Sequence, residues 1–190
     1  MAFFRKKIEM PKAITMFTNS VMSDSKTTWP DVIACISRNG FKIYNEDEGY
    51  GSWTTGLFAL DTLRAYQVFD KNVANSIFNS VGYYFDYRIE GLKDWPPTLK
   101  EMYDFFCYMY FKNEEAYSKN PVPLNLPPIT TSMTILLGII LGYKNITDTE
   151  SIPYDSLEIK KMFNDFFSIV SKSTGRWENI NKTYKVSWLL

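Results

Sequence analysis

The chain has 190 residues with 21 basic and 21 acidic side chains, so its formal charge is zero, and it contains no histidine. The missing imidazole excludes the usual acid/base group at neutral pH, the Ser-His and Cys-His nucleophile pairs and most zinc and iron sites. The length suits one domain, 1–190, whose core needs no staples; the 17% aromatic content implies bulky packing with some half-exposed rings.

Charge is unevenly placed. Residues 1–12 carry Arg5, Lys6, Lys7 and Lys12 against Glu9, and residues 160–190 carry six cations against Asp165 and Glu178. The middle is correspondingly acidic, a dipole that can steer partners. Cys35 and Cys107 sit inside apolar helical patterns, which reads as buried free thiols rather than a disulfide. The first residues place Phe3 and Phe4 before the charges, the reverse of a secretory leader, and no run reaches the ~18 apolar residues of a membrane span. Together these point to a reducing, cytoplasmic setting.

In chain order, residues 5–22 show loosely helical spacing, with Pro11 predicting an early kink or a late start. Thr28-Trp29-Pro30-Asp31 reads as the start of a helix, with Thr28 as cap and Pro30 in the first turn. Asn39-Gly40 should stop it, and Phe41–Tyr44 is the best strand candidate. Residues 45–52 read as a polar loop with the acidic run Glu46-Asp47-Glu48, closed by Ser52 as cap of a helix whose stripe is Trp53, Leu57, Leu60 and Leu63.

A helix from about 73 to 90 follows, ended by Gly91, and Asp94-Trp95-Pro96-Pro97 opens the next. Residues 120–128 form a proline-rich connector. Ile129–Tyr143 is almost wholly apolar and is expected to be a central helix buried on all sides. Asp155 and Glu158 have capping-box spacing before a stripe of Leu157, Met162, Phe163, Phe166 and Val170, ended by Gly175. The basic, aromatic tail contains a short strand candidate at Thr183–Trp188.

Four motifs bear on function. Gly51 and Gly56 have the spacing of a phosphate loop, but Leu57 and Phe58 stand where lysine and a hydroxyl are required. Gly138 and Gly142 form a small-xxx-small pattern that permits close helix approach, inside the fold or across a homodimer seam. Residues 103–111 contain six aromatics, more than one stripe of a helix can bury. With Phe106 and Tyr110 inward, Tyr108 and Phe111 fall on a second face that meets another helix or a partner. Asp61 and Arg64 neighbour one another on a helix face, an arrangement typical of surface ion pairs. A basic tail with Arg176, Trp177, Lys182, Tyr184, Lys185 and Trp188 has the composition of a nucleic-acid contact but is short, so nucleic acid is disfavoured.

The expected fold is all-α: a compact single-domain bundle of six or seven helices around 129–143, with room for one short β-hairpin. The expected function is that of an intracellular interaction or regulatory protein without catalytic activity, cofactor or metal. It would bind a protein partner or a second copy through Tyr103, Tyr108, Phe111, Gly138 and Gly142. The alternative is a helical binding domain for an apolar or anionic small molecule lodged between aromatic helices.

Overall fold

In the computed structural model the chain opens with a short strand, β1 (Lys6–Glu9), that leads directly into a long helix, α1 (Met10–Arg38). The described residues are 5–87, Tyr103, Cys107, Tyr108, Phe111, 128–142 and 157–187. Most of them are helical: α2 (Glu46–Val68), α3 (Lys71–Tyr87), α4 (Pro128–Ile140), α5 (Leu157–Lys172) and α6 (Arg176–Thr183) follow, and strand β2 (Tyr184–Ser187) closes the order. Tyr103, Cys107, Tyr108 and Phe111 are also helical positions. The expected helix ends at Gly91 and Asp94–Pro97, and the connector at 120–127, lie outside the described residues.

Helix α1 starts late, as Pro11 predicts, but differs from the sequence expectation at Pro30. Pro11 sits in its first turn, where the missing N–H has no partner to lose. Pro30 does not begin a new helix; α1 runs through it. An interior proline removes one helical hydrogen bond, so tertiary contacts must hold the segment. Val21, Ser25, Val32, Cys35 and Ile36 are buried along it. The Thr28 hydroxyl, expected as a cap, donates to the Asp24 carbonyl at 2.6 Å and accepts the indole N–H of Trp53 at 3.1 Å.

The stop at Asn39-Gly40 is as expected. Gly40 is left-handed at φ +81°, its amide donates to the Ser37 carbonyl and the Phe41 amide to the Ile36 carbonyl. This paired arrangement satisfies the last carbonyls of a helix. Phe41–Tyr44 is irregular and not a strand.

Residues 46–52, expected as a loop, are the first turns of α2. The Asn45 side chain accepts from the amides of Asp47 and Glu48 at 3.0 and 3.3 Å, and the acidic run lies in the first turn, where the helix dipole favours it. Ser52 caps nothing; its hydroxyl donates to the Glu48 carbonyl. Asp70 starts α3 in the same way, accepting from Asn72 and Val73.

Every residue from 51 to 63 is buried, and α2 touches α1, α3, α4 and α6. It is α2, more than the expected 129–143 segment, that the other helices enclose. Helix α4 packs along α2 in the opposite direction, with Leu136 at Gly56 and Gly142 beside Tyr44. Its Ser132, Met133, Ile135, Leu136, Leu137, Gly138 and Ile140 are buried. Helix α5 buries Ile159, Met162, Phe166 and Val170, while Leu157, expected on that stripe, is 77% exposed at the first position.

The chain ends pair, but not as the expected hairpin. β1 and β2 are parallel, with Lys6, Lys7, Ile8 and Glu9 opposite Tyr184, Lys185, Val186 and Ser187. Parallel strands cannot be joined by a tight turn, and here the whole chain forms the crossover. Ile8 and Val186 supply the buried side of the ribbon, and the Arg5 guanidinium donates to the Asn181 carbonyl.

Two measurements check this packing. A Cβ on Gly56 would lie 2.5 Å from Cδ2 of Leu136, so Gly56→Leu should cost about 1–3 kcal/mol or more through overpacking, read from urea unfolding. Cys35 and Cys107 are buried and outside any disulfide; burial, helped by nearby Asp165 and opposed by Arg38, pushes the Cys35 thiol up. Iodoacetamide at neutral pH should therefore modify neither thiol in the native protein and both after denaturation, as mass spectrometry would show.

Candidate functional site

The strongest polar constellation centres on Asp61, in the middle of α2. Its side chain is fully buried, a position where a carboxylate is costly unless paired. The pairing comes from the far end of the sequence. After α5, the chain turns through Ser173, Thr174 and Gly175, the last left-handed at φ +101°. This turn aims the Gly175 and Arg176 amides at Asp61 Oδ1, at 2.7 and 3.2 Å. Asp61 thereby caps α6 from another helix, where Gly175 has no side chain to do so.

The Arg176 guanidinium completes the site. One terminal nitrogen meets Asp61 Oδ2 at 2.5 Å and also donates to the Ser173 carbonyl. The other reaches Asp24 Oδ2 at 2.7 Å, and Nε donates to the Ser20 hydroxyl at 3.2 Å. Arg64, half-buried, donates to Thr174 and Glu178, both at 2.9 Å. Burial pushes the Asp61 carboxyl up, while the Arg176 charge and the hydrogen bonds from Arg176 and Gly175 pull it down.

The sequence places Asp61 beside Arg64 on one helix face. The structure instead pairs Asp61 with Arg176 and sends Arg64 to Glu178. No local spacing could have revealed this, because the partners come from opposite ends of the chain. Chemically the arrangement is a lock: the aspartate oxygens face donors of the same chain, and α1, α2, the α5–α6 turn and α6 are tied at one point.

The aromatic segment divides as follows. Tyr103 is fully buried and Cys107 nearly so. Phe111 is half-buried, edge-on to Tyr66 and Phe78 at 5.4 and 5.9 Å. Tyr108 is 60% exposed. Gly138 is buried inside α4. Gly142 lies past the end of that helix at φ +82°, and a Cβ there would stand 2.6 Å from Tyr44 Cβ. It acts as a helix stop against Tyr44, so the two glycines do not form one seam along a helix.

Other sequence signals are absorbed by the core. Gly51 and Gly56 lie inside α2, so no phosphate loop exists there. Arg176 and Trp177 of the basic tail are buried; Trp177 stacks on Phe17 with centroids 4.5 Å apart. Among the described residues no group of three or more His, Cys, Asp and Glu could hold a metal ion, and no helix is long and apolar enough to cross a membrane. Compared with protein-family models, curated proteins and solved structures, the chain has no match.

If the lock holds the helices together, Asp61→Leu and Arg176→Met should each cost about 3–5 kcal/mol, since each leaves a buried charge uncompensated. The double variant should cost clearly less than the two together. Urea unfolding of the four proteins checks this; additive losses would show that the two groups act separately.

Proposed function

We propose that this chain is a non-catalytic interaction protein that binds a protein partner through the helical face bearing Tyr108. The supporting observation is the contrast among four helical positions: Tyr103 and Cys107 are anchored in the core, Phe111 packs on Tyr66 and Phe78, and Tyr108 is 60% exposed. A tyrosine held on such a foundation offers a large contact at little entropy cost, the property that enriches it at interfaces. The polar cluster that could have served catalysis is the Asp61–Arg176 lock, whose groups are engaged in joining helices. Two buried cysteines outside any disulfide fit a reducing compartment such as the cytoplasm.

Tyr108→Ala should leave unfolding free energy within about 0.5 kcal/mol. It should also abolish a specific adduct that cross-linking in cells yields with the wild-type protein. A loss of several kcal/mol with the adduct retained would assign the ring to packing and overturn the reading.

A further inference from the structure

The β1–β2 ribbon has two strands only, and among the described residues no third strand pairs with either edge. Open edges are templates for further pairing. Lys6, Lys7 and Glu9 of β1 are exposed, while Ile8 is buried. The register also sets Lys7 directly beside Lys185. Paired residues of adjacent strands share a face, so two like charges stand side by side on the solvent side, an unfavourable arrangement.

A second copy of the same edge resolves both features. Antiparallel pairing of β1 with β1 about a two-fold axis perpendicular to the ribbon must match residues of the same face. Centred on Ile8, it sets Ile8 against Ile8, Lys7 against Glu9 of the second copy and Glu9 against Lys7 of the second copy. Lys7 and Glu9, which share the outward face of β1, are then each matched by opposite charge, Lys6 falls opposite Met10 of the second copy, and each Glu9 offsets the Lys7–Lys185 repulsion of its partner. The equivalent pairing of β2, centred on Val186, would set Lys185 against Ser187 and has no such complementarity. We infer that β1 is a self-complementary edge through which two copies of the chain join into a continuous four-stranded sheet with strand order β2-β1-β1-β2. Such an interface is isologous and closes as a dimer, using main-chain hydrogen bonds for affinity and the charge pattern for register. It is separate from the Tyr108 face.

The test is a charge swap read by sedimentation velocity over a concentration series, with circular dichroism confirming the fold of each variant. The wild type should shift from monomer to dimer as concentration rises. Lys7→Glu and Glu9→Lys each turn two attractions into two repulsions and should weaken dimerisation on the order of ten- to a hundredfold. The double variant Lys7→Glu/Glu9→Lys should dimerise like the wild type, and an equimolar mixture of the two single variants should form a heterodimer. A wild type that stays monomeric overturns the inference. So does a dimer indifferent to the single swaps, or single-swap monomers rescued neither by the double variant nor by mixing. None of these outcomes bears on Tyr108, whose substitution leaves the edge intact.

Discussion

A carboxylate at the centre of a helix buried at every residue from 51 to 63 needs compensation within the fold. Asp61 obtains it from Arg176 and from the Gly175 and Arg176 amides, and much of the architecture depends on that contact. The turn after α5 must take a left-handed residue to present those amides. The Arg176 side chain must then reach past Asp61 to Ser20 and Asp24 on α1. With α6 held there, Trp177 inserts against Phe17 and the following residues are placed as a strand beside β1. Buried ion pairs are poor sources of net stability compared with apolar packing. What this one supplies is specificity, since few other placements of the C-terminal segment would satisfy the aspartate.

Helix α2 sets the second constraint. A helix surrounded by α1, α3, α4 and α6 cannot carry large side chains on every face, because helix axes pack about 8–10 Å apart. Its small residues mark the close approaches: Gly49 lies against Trp29, and Gly56 admits Leu136. The large ones fill the wider gaps, as where Trp53 meets Phe166 edge-on. Gly56, one of the two glycines with phosphate-loop spacing in the sequence, is therefore a packing device.

These two constraints bear on function by elimination and by contrast. Asp61 and Arg176 look like catalytic machinery by residue type, yet their bonds are directed inward. Two solvent-facing features among the described residues are different in kind: Tyr108, and the open β1 edge with its Lys7 and Glu9. On the readings proposed above, both are contact surfaces, one aromatic and one built from main chain and charge. They would allow the chain to meet a partner and a second copy of itself at once.

The helical class, the stop at Asn39-Gly40, the buried stripes of α2 and α5 and the buried thiols could be read from the amino-acid order, because each rests on local periodicity or on a cap within a few residues. Strand β2 was also visible, but its partner was not. Misplaced features trace to interactions distant in sequence. Pro30 lies inside α1 because packing outweighs its local penalty; residues 46–52 are the local exception, helical because the neighbouring Asn45 and the acidic run outcompete Ser52 as a start. Arg176 and Trp177 look like a solvent-facing basic tail until Asp61 and Phe17 draw them into the core. Helix periodicity records which face of a segment is apolar. It carries no information on which distant charge a buried charge will meet, and only the tertiary structure decided that.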